Sequence, residues 1–211
     1  MDKGKLNRVI SLGEVYTPQN FVENILDLIP ETHYSSRIFE PGCGSGNFLL
    51  EILNRKLQNY SKSKKIKNGL LNENVKLIEY ELIVLISSIY SVEIDKDNIN
   101  TTRKKLTESI FKYYEKILKT KISEDFKQIV NFVISSNIIQ GDLLNDIDKI
   151  IVYEFSELPD YKFNVRKFIF SELLFPDNEV FEVENKLFGH IPEPIDVVEN
   201  ISYYDLHKEI G

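Results

Sequence analysis

Three glycines within residues 42–46 are the feature that most constrains the fold. Residues 37–40 before them, with Ile38 and Phe39 at their centre, predict a short buried strand, and a helix is predicted to start near Asn47. Its inward side chains are expected to be Phe48, Leu49, Ile52 and Leu53. Glycines let the backbone turn sharply and leave room for a ligand, and the N–H groups of the following helix attract an anionic group. A tight turn without a ligand is the simpler alternative, but three glycines between a strand and a helix argue against it.

The rest of the chain alternates between helical and short apolar segments, which is typical of β-α units around a parallel sheet. We therefore predict an α/β fold with an open, mostly parallel sheet and helices on both faces. Further strands are predicted at 90–94, 137–140 and 149–155, the last as the fourth strand. For the first helix, Thr17 is expected to be the N-cap and Pro18 the first helical residue. Its inward residues are expected to be Phe21, Ile25, Leu28 and Ile29.

Composition narrows the class of protein. The net charge of −7 argues against a protein that grips nucleic acid alone, since phosphate neutralisation supplies much of that affinity. The only cysteine, Cys43, excludes an internal disulfide and fits a cytoplasmic location. The lysine cluster from Lys56 to Lys67 is interpreted as a solvated, mobile loop. An insertion is expected at about residues 58–73.

Acidic residues follow the next two predicted strands. Glu93 ends the second strand, where a carboxylate can accept hydrogen bonds from both hydroxyls of a ribose. Asp142 follows the third strand, where an acid can accept a hydrogen bond from an exocyclic amine while a neighbouring leucine covers an adenine ring. Taken alone, Glu93 fits a surface acid or a cap, and residues 141–142 fit an ordinary turn. The order and placement of the three sites together favour a nucleoside ligand.

These segments resemble the N6-adenine DNA methyltransferases of restriction–modification systems over about residues 13–144. Residues 13–19 resemble the family's N-terminal cofactor motif, and residues 39–48 resemble its glycine motif. Residues 92–95 look like its ribose-binding acid, and residues 141–144 look like its adenine-side motif. The resemblance implies a Rossmann-like methyltransferase fold, S-adenosylmethionine as the cofactor and DNA as the substrate.

The resemblance also implies which residues lie at the cofactor. Thr17 is expected beside the methionine moiety, Glu93 at the ribose and Asp142 near the adenine. The full set comprises Tyr16, Thr17, Pro18, Glu40, Pro41, Gly42, Cys43, Gly44, Gly46, Asn47, Phe48, Glu93, Ile94, Asp142 and Leu143. All of these residues belong to the segments that carry the resemblance.

The chain departs from the family at the catalytic motif. That motif is Asn/Asp-Pro-Pro and an aromatic residue at the end of the fourth strand, where it holds the target amine and stacks on the extruded base. This chain contains no Pro-Pro pair, and residues 153–161 stand in that place. One explanation is a diverged active site that uses Glu154 or Glu157, with Phe155 or Tyr161 as the stacking ring. Another is loss of the catalytic step. A strand end and a turn are the plainer interpretation of these residues.

No other catalytic or metal site is predicted. The three histidines show no metal spacing, so no metal is expected. Asn47 stands where a P-loop carries its lysine, which disfavours triphosphate hydrolysis. No Gly-x-Ser-x-Gly nucleophile elbow occurs. Cys43 is interpreted as a small apolar filler of the loop, because no activating base or cation is evident beside it.

We expect a methyltransferase-like domain over residues 1–175 and a mostly irregular C-terminal extension over residues 176–211. Because the chain has no room for a target-recognition domain, we expect it to meet DNA through a partner subunit, with no membrane involved. Two alternatives stay open. One is a non-catalytic cofactor-binding subunit of a DNA modification complex, and the other is a methyltransferase that acts on RNA, a free base or protein.

Overall fold

The first three strands form a parallel sheet. The chain is described here by a computed structural model, over residues 17–30, 33–64, 74–174, 181–183, 186–188 and 192–210. The strands are β1 (Ile38–Pro41), β2 (Ile89–Glu93) and β3 (Ile138–Gln140). β2 lies between the other two, with Phe39 of β1 opposite Tyr90 and Gln140 of β3 opposite Glu93. The carboxyl ends of all three strands therefore meet at one edge of the sheet.

Helices pack on one face of this sheet and on each other. They are α1 (Gln19–Leu26), α2 (Asn47–Ser63), α3 (Val75–Ser87), α4 (Lys96–Leu118) and α5 (Glu124–Asn137). Ile38, Ile89 and Ile138 of the three strands belong to the large apolar core that these helices build. Because side chains alternate across a strand, Phe39 and Val92 face the opposite way.

The predicted fourth strand is present, but the prediction that it extends the parallel sheet is wrong. A separate antiparallel sheet contains β4 (Ile151–Leu158), β5 (Lys162–Ile169) and β8 (Asp196–Ser202), in the order β4-β5-β8. Asp160 and Tyr161, between β4 and β5, have φ angles of 60° and 61°. A short left-handed turn of this kind makes a hairpin, whereas a parallel crossover needs a dozen or more residues.

The second face of the parallel sheet differs from the prediction of helices on both faces. Val92 and Ile139 on this face pack against Phe168 of β5 and Phe170 in a smaller apolar cluster. Phe170 begins the five-residue helix α6 (Phe170–Leu174). Among the described residues, this face therefore meets residues of β4, β5 and the short helix α6, while the long helices lie on the other side.

The C-terminal segment is more regular than expected where the structure describes it. Short strands β6 (Phe181–Val183) and β7 (Lys186–Phe188) pair with each other, and β8 leads into a 3-10 turn (Tyr203–Asp205) and α7 (Leu206–Glu209). The expectation of irregular structure is therefore wrong for residues 196–202, where pairing with β5 satisfies the backbone of β8. The domain boundary at residue 175 stays a prediction.

A buried carboxylate ties this C-terminal segment to the helices. Glu79 of α3 is 3% exposed and accepts hydrogen bonds from three tyrosine hydroxyls. Oε1 accepts from Tyr114 of α4 at 3.0 Å, and Oε2 accepts from Tyr203 at 2.8 Å and Tyr204 at 3.2 Å. Since a buried charge requires several hydrogen bonds to offset its lost hydration, this cluster fixes the segment after β8 against α3 and α4.

Helix α1 is rotated relative to the prediction. Val22 and Leu26 are buried, whereas all four residues expected to face inward are exposed: Phe21 at 59%, Ile25 at 44%, Leu28 at 84% and Ile29 at 50%. Polar contacts with α2 accompany this rotation, since Arg55 lies 2.8 Å from Asp27 and donates to the Glu23 carbonyl. The helix also starts at Gln19 with Pro18 as its cap residue, so the predicted capping by Thr17 is wrong.

The lysine cluster is not a solvated loop where the structure describes it. Helix α2 runs on to Ser63 and includes Lys56 and Lys62, so the expected insertion is helical at residues 58–63. Lys56 is 3% exposed and donates hydrogen bonds to the Tyr34 carbonyl, the Ser36 carbonyl and the Ser88 hydroxyl. Residues 65–73, with Lys65 and Lys67, lie outside the described residues.

Candidate functional site

A cleft of about 590 Å³ opens at the carboxyl edge of the parallel sheet. The predicted cofactor residues that line it are Thr17, Glu40, Gly42, Cys43, Gly44, Asn47, Phe48, Glu93, Ile94, Asp142 and Leu143. Pro18, Pro41 and Gly46 do not line it, and Tyr16 lies outside the described residues. Ser45, Val92, Gly141 and Leu144, which belong to the same predicted segments, also line the cleft, together with Asn98 and Asn145, which the prediction missed. The structure thus brings the three separate sequence segments to one cleft.

Glu93 connects the end of β2 to the glycine loop. Its carboxylate is buried, and Oε2 accepts a 2.7 Å hydrogen bond from the N–H of Gly44. Oε1 accepts a 2.9 Å hydrogen bond from the N–H of Asp95, the residue that caps α4. Each carboxylate oxygen has a second lone pair, so Glu93 can accept hydrogen bonds from a ligand while it holds the loop.

Helix α4 supports the loop from behind. Thr102 Oγ1 donates a 3.0 Å hydrogen bond to the Gly44 carbonyl, and Lys105 Nζ donates a 2.6 Å hydrogen bond to the Ser45 carbonyl. Gly46 has a φ of +85°, and a Cβ on it would lie 2.6 Å from Thr102 Oγ1. Only glycine therefore fits at position 46, because any other side chain would collide with Thr102 in a backbone conformation that is already unfavourable.

The first turn of α2, next to this loop, has backbone N–H groups that no side chain caps. Gly46 is the N-cap of α2 and provides no side-chain hydrogen bond to the helix. The leading N–H groups of a helix without such a cap are available to an anionic group, which the helix dipole also attracts. Asn47 holds the turn against the start of α1, since its Nδ2 donates to the Thr17 carbonyl at 3.3 Å.

Asp142 shapes the third side of the cleft. Oδ1 accepts hydrogen bonds from the N–H groups of Leu144 (2.9 Å) and Asn145 (3.1 Å), and Oδ2 accepts from Asn145 Nδ2 (2.8 Å). The hydrogen bonds from Asn145 and Leu144 hold the pKa of this carboxyl below its usual range. Asp142 therefore fixes the turn after β3. The turn leaves Leu144 92% exposed, and Ile94 beside the cleft is 50% exposed, so both offer apolar contact to a flat ring.

Burial changes the ionisation of two further groups in the cleft. It raises the pKa of the Glu40 carboxyl, which makes a neutral carboxyl easier to form than in water. It also raises the pKa of the Cys43 thiol, which is 8% exposed and contacts the Thr102 hydroxyl at 3.9 Å. A buried thiol with a raised pKa is a poor nucleophile, so its geometry agrees with the interpretation of Cys43 as an apolar filler.

The three catalytic candidates lie elsewhere. Glu154 is held by Arg37 at 2.5 Å and by Arg166 at 2.6 Å. Burial raises the pKa of its carboxyl, but hydrogen bonds from both arginines and Ser156 outweigh burial and leave that pKa low. Phe155 is 6% exposed in the main core and Glu157 is an exposed residue of β4. None of the three lines the cleft, because β4 belongs to the antiparallel sheet and not to the parallel one.

Over the described ranges, no group of three or more histidine, cysteine, aspartate or glutamate side chains is arranged to hold a metal ion. In that same part of the chain, no helix is both long and apolar enough to cross a membrane. Comparison with known proteins gives one result. Residues 6–99, a little less than half of the chain, match the family model described as N-6 DNA methylase. No curated protein and no solved structure gives a significant match.

Proposed function

We propose, from the match of residues 6–99 to the family model described as N-6 DNA methylase, that the cleft binds S-adenosylmethionine for methylation of adenine N6 in DNA. The observation that carries the proposal is the convergence of the glycine loop, Glu93 and Asp142 on one cleft. The parallel sheet and its helices then form the cofactor half of a Rossmann-like methyltransferase fold. The cofactor supplies an activated methyl group on its sulfonium.

The residues present fit this cofactor. Gly44 has a φ of +52°, and a Cβ on it would meet nothing within 4 Å, so the main chain is open to a ligand at that point. The first turn of α2 suits the carboxylate of the methionine moiety. Glu93 suits the ribose hydroxyls, and Ile94 and Leu144 suit the two faces of the adenine ring. The cleft volume of about 590 Å³ leaves room for a ligand of this size.

In methyl transfer, the residues of this chain bind and align S-adenosylmethionine, the methyl donor. Alignment of two reactants lowers the barrier by removing their translational and rotational freedom before reaction. DNA is the substrate class, within a restriction–modification system, and a partner subunit supplies target recognition in this proposal. The cytoplasm is the expected location.

Calorimetric titration with S-adenosylhomocysteine tests cofactor binding. Wild-type protein is expected to bind, and Glu93→Ala is expected to bind at least about tenfold more weakly, since it loses charged hydrogen bonds to the loop and to the ribose. Asp97→Ala is the matched control, because Asp97 is an exposed carboxylate that does not line the cleft. Unchanged affinity in Glu93→Ala contradicts the ribose assignment, and no heat in wild-type protein contradicts the cofactor.

Transfer of tritiated methyl groups to unmethylated DNA tests the chemistry. The assay is run with the chain alone and with the products of its neighbouring genes. Incorporation that requires one such product identifies the partner subunit. If the cofactor binds and no combination transfers methyl groups, the chain is instead a cofactor-binding subunit without transferase chemistry of its own.

A further inference from the structure

Lys105 of α4 contacts the glycine loop from outside the cofactor cleft. Its ammonium group donates a 2.6 Å hydrogen bond to the Ser45 carbonyl and a 3.4 Å hydrogen bond to Asn47 Oδ1. Ser45 and Asn47 line the cleft, whereas Lys105 does not. Any influence of Lys105 on a molecule in the cleft is therefore exerted through the residues that line it and through its charge.

The side-chain amide of Asn47 is engaged at both of its ends. Oδ1 accepts the hydrogen bond from Lys105, and Nδ2 donates a 3.3 Å hydrogen bond to the Thr17 carbonyl. An ammonium group has only donors, and the amide nitrogen cannot accept from it. Lys105 therefore fixes Oδ1 on its own side and directs Nδ2 toward Thr17. Polarisation of the amide by the cation also strengthens the second hydrogen bond.

These contacts join three segments that are distant in sequence. Lys105 belongs to α4, Asn47 begins α2, and Thr17 lies just before α1. The Asn47 side chain connects Thr17 to α2 by a direct hydrogen bond. The far end of α1 is held independently, because Arg55 of α2 lies 2.8 Å from Asp27. Loss of the Lys105 or Asn47 side chain is therefore expected to loosen the start of α1 and not the whole helix.

The positive charge of Lys105 lies beside the first turn of α2. Both of its acceptors here are uncharged oxygens, so these two contacts do not cancel the charge. The first turn of α2 begins without a side-chain cap, and a cation near it adds to the attraction of the helix dipole for a carboxylate. The proposed function places the carboxylate of the methionine moiety at this turn. The charge therefore favours the amino-acid end of the cofactor and has little effect on the uncharged adenosine end.

We propose that Lys105 is a positioning residue for the amino-acid end of the cofactor. It orients the Asn47 amide, which holds Thr17 against the glycine loop, and its charge supports a carboxylate at the first turn of α2. The inference rests on the proposed function, which assigns this turn to the methionine moiety. Lys105 then discriminates between S-adenosylhomocysteine and 5′-methylthioadenosine, a thioether that keeps the nucleoside but lacks the amino and carboxylate groups.

Calorimetric titration of the full chain with these two ligands tests the proposal. Lys105→Met is expected to bind S-adenosylhomocysteine about tenfold more weakly than wild-type protein, because it loses both the charge and the fixed amide. Its affinity for 5′-methylthioadenosine is expected to stay within about twofold of the wild-type value, since that ligand has no group at the first turn of α2. Lys104→Gln is the control, because Lys104 is 77% exposed on the same helix.

Hydrogen exchange without any ligand tests the contact through Asn47 separately. The N–H groups of Phe21 and Val22 donate to the Pro18 carbonyl in the first turn of α1. Their exchange is expected to be about threefold faster in Lys105→Met than in wild-type protein, because a loosened helix start opens more often. Asn47→Ala is expected to give a similar acceleration, and the double variant no further one, since both changes remove the same contact. Unchanged exchange in both single variants overturns the positioning role.

Failure of this inference and failure of the proposed function give different results. If wild-type protein binds both ligands and Lys105→Met weakens them equally, or weakens neither, the cofactor assignment stands and the role of Lys105 is wrong. If wild-type protein binds neither ligand, the cofactor assignment is wrong, and the role of Lys105 in selecting a ligand is wrong with it. The hydrogen exchange then still decides whether Lys105 fixes the start of α1.

Discussion

The carboxyl edge of the parallel sheet and the hairpin of β4 and β5 agree to different extents with the arrangement that the sequence predicted. At the edge, the glycine loop, Glu93 and Asp142 surround one cleft. In the hairpin, Glu154 is held by arginines and Phe155 is buried. The glycine loop depends on a few local contacts around its own turn. A catalytic motif at a strand end depends on that strand remaining in the sheet, and here β4 pairs elsewhere.

Glu79→Ala tests the second region and has the largest expected effect. The change leaves three tyrosine hydroxyls without their acceptor beside α3. We expect the free energy of unfolding to fall by about 3–5 kcal/mol, as for other buried charge clusters, measured by urea denaturation. Glu108→Ala is the control, because Glu108 is 50% exposed. A loss as small as that of the control would show that the cluster does not fix the C-terminal segment.

Gly46→Ala tests the first region. The added Cβ collides with Thr102 and the residue must keep a positive φ, so we expect a loss of about 2–4 kcal/mol in unfolding free energy. S-adenosylhomocysteine affinity is expected to fall as well, while Glu79→Ala leaves it unchanged in the folded fraction. Adding Thr102→Ala to Gly46→Ala is expected to recover the collision part of the loss. No recovery would mean that Thr102 does not form the wall.

Lys56, whose hydrogen-bond partners precede β1 and β2 at the amino edge of the same sheet, makes stability depend on pH. Burial lowers the pKa of its ammonium group to about 8, below the ordinary value of 10.5. The unfolded chain therefore binds more protons between these values, so folding stability rises with pH across this window. From pH 8 to pH 10 we expect a gain of about 2 kcal/mol in wild-type protein relative to Lys56→Met, measured by denaturation. Parallel pH profiles for the two proteins would contradict the lowered pKa.

Substitution of Glu154, in the hairpin, has the smallest expected effect on stability. This effect appears at acid pH, whereas that of Lys56 appears at alkaline pH. The folded pKa of Glu154 lies below the ordinary value of 4.5. Its contribution to stability is therefore present above that value and is lost as the pH falls through the folded pKa. Because both arginines are substantially exposed, we expect only about 1 kcal/mol of additional loss in wild-type protein relative to Glu154→Gln between pH 6 and pH 3. Equal acid losses would mean that the ion pairs contribute nothing.

The parts of the fold that the sequence predicted are those with a local cause. Strands β1, β2 and β3 are short apolar runs, and helix α2 follows three glycines. The hairpin that joins β4 to β5 also has a local cause, although the sequence analysis did not predict it. Two left-handed residues, Asp160 and Tyr161, separate β4 from the alternating pattern of β5. That alternation was the available signal for an antiparallel hairpin.

The wrong predictions concern contacts between distant residues. Periodicity alone does not distinguish the face of α1 with Phe21 and Ile25 from the face with Val22 and Leu26, since the choice depends on how α1 packs against the distant helix α2. The prediction that Lys56 is exposed to solvent is wrong for the same reason. The three oxygens that accept its hydrogen bonds belong to segments distant in sequence, so the sequence around Lys56 does not reveal them.

Residues of the cleft that the sequence missed follow the same rule. Asn98 enters the cleft because it lies in the first turn of α4, after the cap residue Asp95. Asn145 enters because Asp142 folds the turn around its own carboxylate. Neither residue type is diagnostic in the sequence. The placement of Asp95 after β2, as a helix cap, was the one local signal that could have pointed to Asn98.

The hydrogen bonds from Gly44 to Glu93 and from Thr102 to Gly44 have a thermodynamic consequence. They hold the loop in its turned shape before any molecule enters the cleft. A molecule that binds there meets a preorganised surface, so little conformational entropy is left to be lost on association. Affinity then depends mainly on the contacts between the protein and the bound molecule. A substitution that removes either of the two hydrogen bonds is expected to weaken binding even when every atom that contacts the bound molecule is retained.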